Sequence, residues 1–375
     1  LNDALGNVGH TVSYTEPVEA SPLVQLDSIR TLAEEMRAGR VKSLLIIESN
    51  PVYSAPADLD FADALNKVPF AVHTSVAYDE TSALCGWHIP ATHFLEAWSD
   101  GRAYDGTPTI LQPLIDPLFN SWSPHQLLSA YSGQPTHTAY EIVRATWEQH
   151  YNALAAPKLP DFETFWRTAV HDGVVPGSAF PATEVTLRPN WADAVSAASA
   201  APPSGGLDLL FRPDPSVWDG RFANNPWLQE LPKPLTTLTW DNALLISPAM
   251  ASRLALVAED EVEMSVQGRS LTAAIWVTPG QPDESATLYL GYGRSAGGQV
   301  GAGIGFNAYQ LRTVDNFFVA PGLELRKTGR RYRLANTQEH DLLDGRDLVR
   351  SGSLTEYQQE PNFAQNEFDR VYGVG

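Results

Sequence analysis

Seven glycines within fifteen residues, from Gly291 to Gly305, constrain this chain more than any other feature of its sequence. Each glycine in a helix interior costs roughly 1 kcal/mol relative to alanine, so we do not expect this segment to be helical. Glycine instead permits positive φ and a close approach to another strand or to a ligand. Apolar runs flank the segment on both sides, which predicts a glycine-rich hairpin or a barrel corner.

The same segment contains two short motifs that are typical of enzymes. Gly293–Gly297 (GRSAG) fits the G-x-S-x-G elbow of serine hydrolases, in which Ser295 would be the nucleophile on a turn from a strand to a helix. Gly291–Ala296 (GYGRSA) fits a dinucleotide fingerprint, which also needs a following helix. Because no helix is expected after either motif, a serine hydrolase is the weakest functional hypothesis.

Composition excludes several classes of protein. With 375 residues, 43% hydrophobic content and ten Trp, the chain is expected to fold into two or three domains. Its formal charge of −19 disfavours binding to nucleic acid and to anionic membranes. The single cysteine, Cys85, excludes an intramolecular disulfide and an iron–sulfur cluster within the chain. The chain begins at Leu1 and ends at Gly375, and we expect it to be a piece of a longer protein.

A second cluster, between Cys85 and Glu96, contains side chains of the types that bind zinc. Cys85, His88, His93 and Glu96 lie within twelve residues. However, Pro90 predicts a short strand and a turn, and such a segment does not present two histidines on one helical face. We therefore expect structural histidines here and no metal site.

The first half of the chain has the pattern of a parallel sheet. The spacing of Leu26–Arg40 predicts a helix, and apolar runs at Ser43–Ile47 and Phe70–Val76 predict two buried strands with a short helix, Leu59–Asn66, between them. We expect these strands to be adjacent and parallel, joined by a right-handed crossover. The loops that follow them, Ser49–Pro51 and Thr74–Ser75, are where ligands bind in open α/β sheets.

Other segments complete the predicted organisation. His10–Val18 is strand-like, and Thr138–Leu154 and Asp161–His171 are predicted to be helices. Ala194–Gly206 is a linker of small residues, after which short strands alternate with turns and one helix, Pro248–Leu256. The sequence therefore predicts an α/β domain at 1–205 and a β-barrel domain at 206–375, with a polar tail beyond Arg326.

Three motifs in the first half occur in the order that one enzyme family uses. They are Ser49-Asn50-Pro51, Asp79-Glu80-Thr81-Ser82-Ala83, and Ile89-Pro90-Ala91-Thr92 with Glu96. They resemble the Gly-x-Asn-Pro loop, the Thr-Glu-Thr-Ala stretch and the Leu-Pro-Ala turn with its following Glu in molybdopterin oxidoreductases of the dimethyl-sulfoxide-reductase and formate-dehydrogenase type. The family glycine before Asn-Pro is replaced here by Glu48.

The second half resembles the C-terminal barrel of the same family. The similar segment is Ser247–Gly293, and the resemblance as a whole covers most of the chain except roughly 120–205. It implies a Rossmann-like parallel-sheet domain followed by a barrel of the double-psi, aspartate-decarboxylase-like type, which caps the pterin dinucleotide in that family.

Four longer segments of the sequence resemble one particular branch of this family. They are Trp227–Pro248, Val277–Asp283, Leu290–Arg312 and Ala335–Arg350. These segments are similar to the large iron–sulfur subunit of alternative complex III, a quinol-oxidising respiratory complex. The resemblance implies a cofactor-free scaffold at the periplasmic face of the bacterial inner membrane. Its partners would be the other subunits and a following iron–sulfur domain, with no direct membrane insertion.

The alternative is a fragment of a working molybdopterin-dependent oxidoreductase. In that case the resemblance implies a groove for molybdopterin guanine dinucleotide, lined by Asn50, Ser75, Glu80, Glu96, Trp240, Asn242 and Arg294. Two departures favour the cofactor-free reading. The chain offers no metal-ligating Ser or Cys at the family position, and the matched loops carry the acidic residues Glu48, Asp79 and Glu80 where phosphates would favour basic ones.

Overall fold

The computed structural model describes residues 1–153, 159–175, 177–187, 189–193, 206–337 and 351–365. Within them the chain is a mixed α/β protein that contains a three-stranded parallel sheet and a closed six-stranded β-barrel. Residues 194–205 of the predicted linker (Ala194–Gly206), and residues 338–350 and 366–375 of the predicted tail, lie outside the described residues.

The parallel sheet forms where the sequence predicts it. Its elements are α1 (Gln25–Arg37), β1 (Ser43–Ile47), α2 (Pro51–Ser54), α3 (Phe61–Leu65), β2 (Phe70–Ser75) and β3 (Trp87–Pro90). The strand order is β1-β2-β3, and β1 pairs with β2 in parallel with Ser43 opposite Phe70. The prediction that the first two strands are adjacent and parallel is confirmed.

Helix α1 packs on this sheet through the apolar face that its spacing predicts. Ala33 and Met36 are fully buried, and they share a core cluster with Leu65. The helix ends where the chain turns through Gly39, which has φ +68°. Glycine adopts this left-handed conformation without a steric penalty, so it ends the helix at low cost.

A helical region follows the sheet and has its own core. Its elements are β4 (Ser99–Arg102), β5 (Pro108–Leu111), α4 (Pro124–Tyr131), α5 (Ala139–Ala153) and α6 (Phe162–Asp172). Trp147, Phe165 and Trp166 are buried in one cluster between these elements. The two helices predicted here are confirmed over their described residues.

The second half closes into a barrel. Its elements are β6 (Leu207–Arg212), α7 (Pro226–Glu230), β7 (Leu238–Thr239), β8 (Leu244–Ile246), α8 (Pro248–Arg253), β9 (Asp260–Val266), β10 (Arg269–Val277), β11 (Ser285–Tyr289), α9 (Gly298–Gly301), β12 (Val319–Arg331), β13 (Ala335–Asn336) and α10 (Leu354–Gln359). The barrel order is β10-β8-β11-β6-β12-β9, with parallel pairs (β8–β10 and β6–β11) and antiparallel pairs. Its interior is filled by aliphatic side chains such as Leu209, Ile246 and Met264.

Three expectations about local structure were wrong. His10–Val18 is not a strand and contributes only an isolated bridge between Val8 and Val12. The polar tail does not begin at Arg326, because β12 continues to Arg331 along β9. There Lys327 and Arg330 pair with Asp260 and Glu261, each at 2.6 Å, so the basic residues extend the strand.

The third wrong expectation concerns the glycine-rich segment. This segment does not form a simple hairpin, and it contains a short helix. It leaves β11 as a long loop that contains the four-residue helix α9. The glycines of this helical turn allow it to pack closely against neighbouring backbone. A Cβ at Gly301 would lie 2.6 Å from the Ala223 carbonyl oxygen. No helix in the described part of the chain has the length and apolar character of a membrane span.

Candidate functional site

One buried carboxylate lies among several contacts between the parallel-sheet half and the barrel half of the chain. Glu80 follows β2 and Arg294 follows β11, and their side chains are 8% and 7% exposed. The Arg294 Nη2 donates to Glu80 Oε2 at 2.7 Å, and its Nε lies 3.0 and 3.1 Å from the two carboxylate oxygens. This fork-like pairing is the strongest geometry available to an arginine and a carboxylate.

Three further donors converge on the same carboxylate. The backbone N–H groups of Ser295 and Ala296 donate to Glu80 Oε1 at 2.8 and 3.0 Å. The Asn50 side-chain amide, from the loop after β1, donates to Oε2 at 2.7 Å. We call Arg294, the Ser295 and Ala296 amides and the Asn50 amide the junction cradle.

The cradle keeps Glu80 ionised. Burial by itself raises the pKa of this carboxyl, but hydrogen bonds from Arg294, the Ala296 amide and Asn50 outweigh it and lower the pKa to about 2. In turn, Glu80 raises the pKa of Arg294 in spite of its burial. Both members of the pair are therefore charged at any physiological pH.

The donors of the cradle are positioned by contacts that do not involve Glu80. Arg294 Nη1 donates to the Gly220 carbonyl at 2.6 Å, and its guanidinium lies 4.7 Å from the centre of the Tyr53 ring. Asn50 Oδ1 accepts from the Thr81 N–H at 3.2 Å and from its hydroxyl at 2.7 Å, which fixes the direction of the amide. The cradle is thus preorganised by its surroundings.

The structure brings together only three of the seven residues that the resemblance predicts for a dinucleotide groove: Asn50, Glu80 and Arg294. Ser75 is buried and donates to the Ala77 carbonyl at 2.6 Å. Glu96 accepts from the backbone of His93 and Leu118, and so orders a loop.

The remaining two residues of that set support the backbone of the barrel domain. The Asn242 amide donates to the Tyr289 and Phe306 carbonyls at 2.9 and 3.0 Å and accepts from the Phe306 N–H. Trp240 has φ +65°, and its backbone N–H donates to the Gln229 carbonyl. Within the described residues, no hydrogen bond links Ser75, Glu96, Trp240 or Asn242 to the junction cradle.

These contacts test whether the residues fit a pterin dinucleotide. A bound phosphate needs free donors, typically backbone N–H groups and arginine side chains. Here Arg294, Asn50 and both loop amides are already engaged with a carboxylate of the same chain. The residues at the junction therefore do not fit a dinucleotide phosphate at this point.

The loop before Asn50 keeps the backbone shape that the family glycine would favour. Glu48 has φ +48°, which lies in the left-handed region. A residue with a Cβ costs roughly 1–2 kcal/mol in this conformation. Glu48 therefore occupies a left-handed turn at the position where the resemblance places a glycine, and its side chain is exposed.

A histidine cluster lies next to the junction. The Ser82 hydroxyl is 2.8 Å from His73 Nδ1, 3.1 Å from His88 Nδ1 and 3.0 Å from Asp79 Oδ1. His73 is fully buried, and its Nε2 lies 2.9 Å from the Ser49 carbonyl oxygen. Burial lowers the pKa of His88, and the neighbouring His73 lowers it further.

The predicted zinc-type cluster is divided between different contacts. His88 faces Ser82 on strand β3, whereas Glu96 binds the backbone of its own loop. Among the residues that the structure describes, no three His, Cys, Asp or Glu side chains lie close enough together to hold a metal ion.

Ser295 contributes to the junction through its backbone and not through its hydroxyl. Its N–H donates to Glu80, and its side chain is exposed. In the described part of the chain, no histidine forms a hydrogen bond with the Ser295 hydroxyl. The one-turn helix α9 begins three residues later, so the strand–Ser–helix elbow of a hydrolase is not formed.

Sequence reasoning missed two residues of this region. Tyr53 supports Arg294 and donates to the Tyr292 carbonyl at 2.7 Å. A second buried arginine, Arg312, donates to the Ser54 carbonyl and lies 4.5 Å from the centre of the Tyr309 ring. Aromatic residues beside arginines in the barrel sequence were the only available signal, and their partners come from the distant first half.

Known proteins share both the sequence pattern and the fold. No family model matches the chain. It is 25% identical over 285 residues to the protein named "Menaquinone reductase, molybdopterin-binding-like subunit" of Nitratidesulfovibrio vulgaris (strain Hildenborough). The matched stretch covers 73% of this chain and 39% of that protein. Its fold is similar to that of acetylene hydratase from Pelobacter acetylenicus, with a TM-score of 0.50 and 16% identity over 80% of this chain and 46% of that one.

These similarities define the class of the chain. They support a molybdopterin oxidoreductase-like region, in which a parallel sheet and a closed six-stranded barrel are combined in a fold similar to that of a molybdopterin enzyme. The resemblance seen in the sequence is thereby confirmed at this level. The chain spans less than half the length of either protein that it matches.

Proposed function

We propose that this chain is a cofactor-free scaffold within a subunit of a respiratory, quinol-oxidising electron-transfer complex. The observation that carries the proposal is the Glu80 carboxylate, which engages the junction donors that a dinucleotide phosphate would need. A domain pair of this fold that is closed by its own side chain can hold neighbouring subunits without a pterin centre.

The relative supports the respiratory part of this proposal. It is named as a menaquinone reductase subunit and as molybdopterin-binding-like, which fits a fold used apart from the catalytic cofactor. From the resemblance of the sequence to the alternative complex III subunit, we propose a position at the periplasmic face of the inner membrane, beside partner subunits and an iron–sulfur domain outside the chain. We also infer that the closed barrel, with its mixture of parallel and antiparallel pairs, is of the double-psi type.

Metal and pterin analysis of the full-length protein in its native complex tests the proposal. We expect molybdenum and tungsten far below one atom per chain and no pterin in an acid extract. A molybdenum enzyme purified from the same cells is the control for cofactor supply. Molybdenum near one atom per chain, with pterin released on denaturation, would contradict the proposal and establish the alternative of a working oxidoreductase.

A further inference from the structure

The junction cradle has the composition of an oxyanion site. Two successive backbone N–H groups, a guanidinium and a side-chain amide converge on one point, and all are donors. Concave sets of successive amides of this kind bind carboxylates and phosphates. In this chain the bound anion is the Glu80 carboxylate.

The cradle is held in place without help from Glu80. The Gly293 N–H donates to the Ile304 carbonyl at 2.7 Å, and the Gly303 N–H donates to the Arg294 carbonyl at 2.8 Å, so the loop that carries the two amides is closed on itself. Arg294 is anchored separately on the Gly220 carbonyl and the Tyr53 ring. Removal of the Glu80 side chain should therefore leave the donors in position.

We propose that the junction cradle is an oxyanion-binding site whose ligand is the chain's own Glu80, and that small carboxylates or phosphate bind there once this side chain is removed. Because Glu80 is part of the chain, its effective concentration at the cradle exceeds that of free anions. The carboxylate thus acts as a tethered ligand that joins the two domains and excludes external phosphates from the junction.

The test uses the full chain carrying Glu80→Ala, purified with acetate present throughout and then exchanged into chloride of equal ionic strength. We expect the melting temperature of this variant to rise saturably with acetate or phosphate, and that of the wild type to stay unchanged. Calorimetric titration should show one bound anion per chain for the variant and none for the wild type. Separate titrations with acetate and with phosphate distinguish a site that binds only carboxylates from one that also binds phosphate.

Two further variants keep the test decisive. Glu80→Ala combined with Arg294→Met should lose the anion response, because the guanidinium is the principal donor. Glu284→Ala removes the carboxylate from the exposed pair with Arg253, in which the atoms are 2.6 Å apart, and should show no response because no cradle surrounds it.

The proposal is overturned if Glu80→Ala melts at the same temperature in acetate, phosphate and chloride. It is also overturned if this variant fails to fold in every anion while Glu80→Gln folds. Neither result changes the pterin content of the native complex, so this inference and the proposed function can fail separately.

Discussion

Two buried ion pairs in this molecule are stabilised in opposite ways. At the domain junction, the oxygens of Glu80 accept five donor groups, from Arg294, two backbone amides and Asn50. Inside the barrel domain, the Nζ of Lys233 is 3.6 Å from Asp214 Oδ2, and this oxygen has no hydrogen-bond partner among the described residues.

The surroundings of Lys233 explain how the second pair is tolerated. Its ammonium donates to the Tyr292 hydroxyl at 2.8 Å and to the Asp241 carbonyl at 3.1 Å, and it lies 4.9 Å from the centre of the Tyr292 ring. Burial nevertheless lowers the pKa of Lys233 and raises that of Asp214. Burial thus disfavours the charged forms of Lys233 and Asp214, in contrast to the junction pair, whose donors favour the charged form of Glu80.

The difference teaches that burial alone does not decide the state of an ion pair. A buried charge is costly unless every lone pair and proton finds a partner. The junction satisfies this condition, because the two oxygens of Glu80 accept from five donor groups. The barrel pair satisfies it only in part, because Asp214 Oδ2 has no hydrogen-bond partner among the described residues, although Oδ1 accepts from the Ser216 and Val217 N–H groups.

The largest expected effect is the loss of one member of the barrel pair. Lys233→Met leaves Asp214, which is fully buried, without its counter-ion, and should lower the free energy of unfolding by about 3–5 kcal/mol. Denaturant unfolding monitored by tryptophan fluorescence measures the change. The exposed control Arg253→Met should change it by no more than about 0.5 kcal/mol. The double variant Lys233→Met with Asp214→Leu should recover part of the loss, and a strictly additive result would contradict mutual dependence.

The second effect is the pH dependence of the junction. Folding lowers the pKa of Glu80 from 4.5 to about 2, so its contribution is complete above pH 4.5 and is lost as the pH falls towards 2. This lowering of the pKa corresponds to about 3 kcal/mol in the free energy of unfolding. The stability advantage of wild type over Glu80→Gln should therefore shrink across this range. Parallel stability curves for the two proteins between pH 5 and pH 2 would be inconsistent with a charged, cradle-bound Glu80.

A third comparison lies within the loop that supplies the cradle. Gly293 has φ +67°, and a Cβ there would lie 2.1 Å from the Asn307 nitrogen, which belongs to the backbone and cannot move away easily. Gly303 has φ +73° but open space around it. Gly293→Val should cost about 3 kcal/mol or more, and Gly303→Val about 1–2 kcal/mol. Equal melting temperatures for the two variants would show that close packing does not hold this loop.

The smallest effect is expected beside the junction, at Glu48. Glu48→Gly relieves a left-handed conformation worth about 1 kcal/mol, but the added freedom of the unfolded chain offsets most of it. The net change in unfolding free energy should be within about 0.5 kcal/mol. Glu34→Gly, an exposed position inside α1, is the control and should destabilise by about 1 kcal/mol. A large loss at Glu48 would mean that its carboxylate makes a contribution which its exposed position does not indicate.

Local patterns predicted most of the scaffold. The apolar runs of β1 and β2 and the spacing of α1 depend on nearest neighbours in the chain, and the structure has them at the predicted places. The same patterns placed Asn50 and Glu80 after neighbouring parallel strands, which brings them to one edge of the sheet. That Asn50 donates to Glu80 follows from this topology.

Patterns of this kind failed where the outcome depended on distant partners. The helix α9 packs closely against Ala223, and basic side chains of the extended β12 pair with acidic residues of β9. Likewise, His10–Val18 alternates like a strand but pairs with no strand in the part of the chain that the structure describes. Propensity gave the wrong answer in each case because tertiary partners supply the larger free energy.

By itself, the sequence determined the class of fold, the parallel strands, the acidic loops at their ends and the similarity to molybdopterin oxidoreductases. Only the tertiary structure decided that Glu80 binds Arg294, which lies 214 positions further along the chain, and that Lys233 is buried with Asp214. Periodicity and turn residues act over a few neighbours, whereas the pairing of charges depends on which surfaces the completed domains bury against each other.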